Sequence, residues 1–254
     1  MSMEEIERKT KNLKSILDNY ITNTNLFCMI PSPKDTRYRN NIIFSIGYND
    51  MNQIEVGPYL EKNSYIVQNS SKNITCSEIS IKICNWLKYW IKYRSQLPIN
   101  NNNIRDGFWR HIHIRENRDK DVIINFRINN FNKYKSIWEE ELPEFIKYFN
   151  FMKEFNDKEY TLKGLSYQEC NGSMEPLNED PFNIFFGDLE ISETLKGAEE
   201  EPINLIYNMG SFFQANIYTS IYIFDIVKTL VQEGDILYDL CCGIGIYAIL
   251  LNKK

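Results

Sequence analysis

Asp235-Ile-Leu-Tyr-Asp-Leu-Cys-Cys-Gly-Ile-Gly-Ile-Tyr-Ala-Ile-Leu-Leu251 decides how the C-terminal part of this chain is read. An apolar run closes on Asp239, a turn with Gly243 and Gly245 follows, and apolar residues resume at once. The pattern predicts a buried strand over 236–240, a Gly-x-Gly turn, and the opening turns of a helix, which is how a nucleotide-type α/β fold begins. Glycine suits the turn because the missing Cβ lets the backbone come close to a ligand. Such turns are common, so the neighbouring sequence must carry the argument. One helix length upstream stands Gly210-Ser-Phe-Phe-Gln-Ala-Asn216.

The chain has 254 residues, room for one large domain or two ordinary ones. Its net charge of −5 argues against a non-specific polyanion binder, whose footprint is strongly basic, so any contact with a polyanion must come from local patches. The six cysteines are scattered, without zinc-ribbon spacing or a secreted-domain framework. Reduced thiols in an intracellular, cytoplasmic setting are therefore the expectation. Met1–Tyr20 lacks the apolar core of a signal peptide, and no run approaches the ~18 apolar residues that read as a membrane span.

Residues 3–20 place Ile6, Leu13, Ile16, Leu17 and Tyr20 on one face, an amphipathic helix expected to pack on the body. After Pro31-Ser-Pro33, alternation through Ile42, Phe44 and Ile46 predicts a strand. Thr75-x-x-Glu78 resembles a capping box, and Ile83, Trp86, Leu87, Trp90 and Ile91 follow helical spacing. Residues 99–106 read as a loop. Trp109–Arg115 and Val122–Ile128 read as a hairpin, and Phe145, Phe149, Met152 and Phe155 as a helix with Pro143 near its start. Strands are expected at 160–169 and 182–186. The absence of regular β-α-β alternation predicts an α+β domain ending near residue 200, with Gly197–Pro202 as the hinge.

Ser-Phe-Phe-Gln-x-Asn together with Asp-Leu-Cys-Cys-Gly-x-Gly closely resembles the RNA (uracil-5-)-methyltransferase family, S-adenosylmethionine (SAM) enzymes that make 5-methyluridine. Tyr38-Arg-Asn-Asn-Ile-Ile-Phe-Ser-Ile-Gly47 is similar to the family's Tyr-Arg-Asn-Lys-x-x-Phe-x-x-Gly signature, with Asn41 where Lys is usual. Gly107-Phe-Trp-Arg-His-Ile-His-Ile-Arg115 and the Cys-Cys-Gly turn resemble the eukaryotic transfer-RNA branch. The resemblance covers about residues 30–251. It implies an N-terminal helix and linker (1–29), an RNA-facing α+β domain (30–200), and the first β-α unit of a truncated Rossmann-like SAM-methyltransferase domain (201–254). It implies SAM as cofactor and RNA, with transfer RNA as the substrate class, as partner, with neither membrane nor DNA.

In such enzymes a thiolate adds to C6 of uracil, C5 becomes enolate-like and takes the methyl group, and a base then removes the C5 proton. The family's nucleophilic Cys and basic Glu fall outside the residues present here. The resemblance assigns Gln214 to the cofactor, for which an amide offers both donor and acceptor. On residue type alone it could instead cap the helix starting near Asn216. Asp239, Cys241, Gly243 and Gly245 are the other cofactor candidates. Asp239 could equally be a plain strand-terminal carboxylate, and Cys241 and Cys242 are expected to be buried structural residues, with a cofactor-side contact second. Phe212 and Phe213 are expected in the core.

For RNA the candidates are Arg37, Arg39, Trp109, Arg110, His111, His113, Arg115, Arg118 and Lys120. Alternation would put Trp109, His111, His113 and Arg115 on one strand face, suited to phosphates and unpaired bases, or simply solvated. The two histidines lack a third ligand at metal spacing. Three functions remain open: one part of a methyltransferase completed by a second polypeptide, a non-catalytic RNA-binding remnant, or an interaction module whose strand joins another sheet.

Overall fold

The computed structural model describes residues 3–18, 20, 30–61, 64–101, 106–155, 160–170, 180–195 and 202–251. Its centre is the hairpin of β3 (Trp109–Glu116) and β4 (Asp121–Ile128), buried along both faces. β1 (Asn41–Tyr48) pairs antiparallel with β3, and β2 (Ile54–Gly57) pairs antiparallel with β1. On the other side β5 (Thr161–Glu169) runs parallel to β4, and β6 (Asn183–Gly187) closes the order β2-β1-β3-β4-β5-β6. The link from β4 to β5 is a helix, so one β-α-β crossover exists that the sequence pattern did not predict. Gly164 and Gly187 make the β5–β6 contact possible: a Cβ on Gly187, at φ +62°, would meet the Lys163 carbonyl at 1.9 Å.

Two helices cover one face. α2 (Glu78–Tyr93) buries Ile83, Trp86, Leu87, Trp90 and Ile91, the stripe its spacing predicts. Its cap is Ser77, whose hydroxyl accepts from Ser80 N–H at 3.0 Å. Thr75 is not the cap; its hydroxyl and N–H bind Asn73 Oδ1. α3 (Phe131–Phe155) starts well before the predicted turn, which puts Pro143 in mid-helix. Proline there removes one backbone hydrogen bond. Burial of Trp138, Phe145 and Phe149 on both sides of it supplies the compensating packing. Side chains from 151 to 155, including Met152 and Phe155, lie outside the described ones.

The opposite face of the sheet meets a second core. β7 (Glu190–Leu195) and β8 (Ile203–Asn208) form an antiparallel pair of their own. With α4 (Ile217–Leu230) and α5 (Ile246–Leu251) they enclose Leu189, Ile191, Leu205, Tyr207, Phe213, Phe224, Ile246 and Leu250. Ile123 joins this core while its neighbours Val122 and Ile124 join the first, as two-residue strand periodicity requires. The expected hinge residues 197–201 lie outside the described residues, and β7 pairs with β8 across them.

Two further expectations do not hold. Along α1 (Met3–Leu17), Leu13 and Ile16 are exposed, as is Tyr20 beyond it, so that apolar stripe is not packed on the body. Residues 236–240 form no strand: Ile236, Tyr238 and Leu240 are each at least 80% exposed. A parallel strand is held by backbone pairing on its edges, and among the described residues nothing pairs with this one. The helix after the turn does form, as α5, with Tyr247 edge-on to Phe224 of α4 at 5.5 Å.

Candidate functional site

The three segments with the distinctive sequence patterns come together in space. Asn40, entering β1, donates its backbone N–H to Ala215 O at 3.1 Å and its Nδ2 to Gln214 O at 3.0 Å. Phe212 O in turn lies 3.6 Å from where a Cβ on Gly243 would stand. The Tyr38–Gly47 segment thus holds the Ser-Phe-Phe-Gln loop, and that loop borders the glycine turn. Asn216 caps α4 by accepting from Thr219 N–H at 3.2 Å, and its Nδ2 reaches Ser32 Oγ at 3.0 Å. The capping role open to Gln214 is therefore filled by Asn216. Gln214 keeps its backbone tied and its amide exposed.

The two phenylalanines separate. Phe213 is buried and stacks on Tyr207 with ring centroids 4.4 Å apart. Phe212, expected in the core, is 70% exposed. The turn itself is wound by left-handed residues at Cys241, Gly243 and Gly245, with φ of 61°, 58° and 75°. For Cys241 that conformation costs roughly 1–3 kcal/mol, a strain that collects at functional turns. Nothing stands within 4 Å of a Cβ built on Gly245, so its outer side is open. Asp239 Oδ2 is buried without a hydrogen-bond partner. Cys241 and Cys242 are exposed, contrary to their expected structural burial, because the strand that would have carried them inward is not formed. Burial pushes the Cys76 thiol up to about 12 and Cys84 well up as well, so neither is poised as a thiolate.

The expected cationic face of β3 is corrected more sharply. A register shift between Trp109 and His111 inserts an extra residue, and after a bulge the side chains change faces. Trp109 consequently joins Ile112 and Ile114 in the first core and is wholly buried, out of reach of any RNA base. His111, His113 and Arg115 are buried as well, and Arg115 reaches the end of β8. Arg110 is buried too, its Nη1 donating to Cys170 O at 3.1 Å. Arg115 donates to the carbonyls of Asn208 and Met209 and lies over the Tyr207 ring at 5.2 Å. Arg118 binds Glu193 and the Thr194 carbonyl. Arg37 pairs with Glu78 at 2.8 Å and ties down Asn73 O and Cys76 O. Of the sequence candidates, Arg39 and Lys120 are left with exposed side chains that make no ion pair with a described carboxylate.

His113 shares a 2.6 Å hydrogen bond with Asn41 Oδ1. Burial, aided by the positive Arg127 and Arg115, pushes its pKa down from 6.5 to about 3. Folding therefore favours the neutral ring, and stability is lost as pH falls from 6.5 towards 3. Glu116 acts oppositely: burial raises it from 4.5 to about 7, so its contribution is lost as pH rises through that window. Below pH 4.5 the histidine dominates. The urea midpoint is expected to drop between pH 4.5 and pH 3.5, a loss of about 1 kcal/mol, and His113→Gln is expected to flatten that drop. An unchanged slope in the variant would show that His113 is not its source.

Among the described residues no group of three His, Cys, Asp or Glu is arranged to hold a metal ion, and no helix is long and apolar enough to cross a membrane. Sequence reasoning missed Asn40 and Glu116. Asn40 sat inside a quoted motif, whereas Glu116 was signalled only by a charge at the end of a core strand.

The fold has a counterpart among solved structures. The chain superposes with a TM-score of 0.67 on the crystal structure of Pyrococcus abyssi tRNA (uracil-54, C5)-methyltransferase in complex with S-adenosyl-L-homocysteine, at 21% identity, covering 98% of this chain and 54% of that one. It is 25% identical over 268 residues to the mouse protein tRNA (uracil-5-)-methyltransferase homolog B, covering 99% of this chain and 52% of the relative. With the human protein of the same name it is 28% identical over 238 residues, covering 89% of this chain and 44% of that one. No family profile matches the chain. In sequence the chain is thus similar to tRNA (uracil-5-)-methyltransferase homologues, and in fold to a solved enzyme of that name. It spans about half the length of the curated relatives it matches.

Proposed function

We propose that these residues serve a SAM-dependent methyltransferase acting on C5 of a uridine in RNA, with transfer RNA as the substrate class. The observation that carries this is the junction at Gln214: Asn40 holds the loop, and the loop borders the glycine turn. The residues there fit the cofactor. Gly245 offers an open backbone, Gln214 an exposed amide, and Asp239 Oδ2 an acceptor still without a donor. When bound, SAM would supply an electrophilic methyl group on a sulfonium. Gln214 and Asp239 would orient its polar end, and Gly243 and Gly245 would let the backbone approach. We assign the nucleophilic thiol and the base to residues outside 1–254, in the same or a second polypeptide.

Incubated with SAM and unmodified transfer RNA, polypeptide 1–254 is expected to yield no 5-methyluridine by nucleoside mass spectrometry. Calorimetry is expected to show no micromolar SAM binding to it. Methylated product from these residues alone would overturn the division of catalytic groups. Transfer RNA should still bind, more weakly as salt rises, and Arg39→Ala with Lys120→Ala should reduce the salt slope by about 2. Absent or salt-independent binding would sink the RNA assignment. A non-catalytic RNA-binding remnant is the second reading, favoured by the unpaired segment 236–240. Methyl transfer restored by adding the C-terminal half of a family member would exclude it.

A further inference from the structure

Next to the Gln214 junction lies a cleft of about 420 Å³, walled by Tyr38 and Tyr218 and rimmed by Lys34, Lys82 and Lys120. It opens between the approach to β1, the N-termini of α2 and α4, and the end of β3. Glu116 closes it from within. That residue is 8% exposed, and its Oε2 is buried with no hydrogen-bond partner. Its backbone N–H donates to Asn40 O at 2.8 Å, which fixes the carboxyl beside the residue that holds Gln214.

A buried acceptor without a donor is a cost that native structures rarely leave standing. Here the missing partner is a donor, presented from the cleft. The walls are aromatic, which suits a planar ring. Two further cations line the cleft and are already engaged, Arg37 with Glu78 and Arg118 with Glu193. Lys34 reaches the Tyr218 hydroxyl at 3.5 Å and lies over that ring at 4.9 Å, and neither it nor Lys120 makes an ion pair with a described carboxylate. They remain to receive an anion outside a pocket whose floor is a carboxylate. A ligand with an N–H edge at one end and a phosphate at the other meets both demands.

We propose that this cleft is a nucleotide site that reads a guanine base through Glu116 and takes its phosphate on Lys34 and Lys120. Guanine is selected because it sets a ring N–H beside an exocyclic amino group, two adjacent donors for one carboxylate. Adenine and cytosine place an unprotonated ring nitrogen next to the amino group, and uracil flanks its N–H with carbonyls. The source of the nucleotide, an unpaired residue of the RNA or a free nucleotide, rests on the proposed RNA function. Burial raises Glu116 to about 7, against the pull of the Ser77 hydroxyl and Lys34. Binding of an N–H edge favours the ionised form, so affinity should rise with pH through neutrality.

Calorimetry on polypeptide 1–254 with 5′-GMP, 5′-UMP and inorganic phosphate tests this. GMP is expected to bind at least tenfold more tightly than UMP, and more tightly at pH 8 than at pH 6. Glu116→Gln should abolish the preference for GMP while leaving phosphate binding unchanged. Lys34→Ala with Lys120→Ala should weaken both nucleotides alike. No nucleotide binding, or equal binding of GMP, UMP and phosphate to the unaltered chain, would overturn the proposal without using any variant. Transfer RNA that displaces GMP assigns the site to RNA, and transfer RNA that binds alongside GMP assigns it to a free nucleotide. Loss of transfer RNA binding with GMP binding intact would count against the RNA function and leave the site standing.

Discussion

Trp109→Ala is expected to destabilise the chain by about 3–5 kcal/mol, a large part of the 5–15 kcal/mol that holds a typical domain together. The indole sits at the centre of an aromatic cluster, with ring centroids 5.1 Å from Phe108, 5.9 Å from Phe126, 5.8 Å from Trp138 and 5.6 Å from Phe145. Its Nε1 also reaches Ser95 Oγ at 3.3 Å. Truncation leaves a cavity between the sheet and α3 that neighbours fixed by other contacts cannot fill. Trp109→Phe should cost markedly less. Equilibrium urea unfolding measures both. A Trp109→Ala protein that unfolds at the original midpoint, yet binds RNA more weakly, would return this residue to the RNA surface and refute the packing.

Arg115→Ala is expected to cost on the order of 3–5 kcal/mol, and to cost it locally. This guanidinium is 2% exposed, and burial lowers its pKa to about 10. It donates from β3 to the Asn208 and Met209 carbonyls at the end of β8 and covers the Tyr207 ring. Tyr207 stacks on Phe213, so one side chain fastens the second core, and with it the Ser-Phe-Phe-Gln loop, to the central sheet. Removing it strands the buried Met209 carbonyl and frees the Asn208 carbonyl. Hydrogen exchange should then accelerate over 203–230 more than over 78–93. Arg115→Lys should recover part of the loss, because an ammonium keeps the charge but not the planar fork. Uniform acceleration across both regions would argue that Arg115 supports the whole fold and not this junction.

Both expectations reverse what the sequence pattern implied for β3, and the cause is specific. Strict alternation from Trp109 to Arg115 produces a cationic face with an aromatic at its end. One inserted residue at Arg110 sends Trp109 to the other side. No periodicity count detects a bulge. Nor could it tell that the end of β8 lies against Arg115, because those partners stand 93 and 94 positions further along. Pro143 misled for a similar reason, since local propensity places it at a helix start while Trp138 and Phe145 make a continuous helix worthwhile.

The Gln214 loop and the glycine turn were more legible. Gln214 and Gly243 were marked by residue type and spacing, and Asn40 does hold the loop of Gln214, which borders Gly243. The predicted stripes of α2 and the 109–128 hairpin also held. These features depend on interactions within a few residues, which the order of side chains encodes directly. Whether a carboxyl such as Glu116 faces water or a sealed cleft, and whether 236–240 finds a strand to pair with, depends on which distant backbone arrives beside it. The amino-acid order therefore determined the local elements and the distinctive motifs of this protein. Only the three-dimensional packing decided which charges are buried, which aromatic is core, and where an unpaired acceptor awaits a donor.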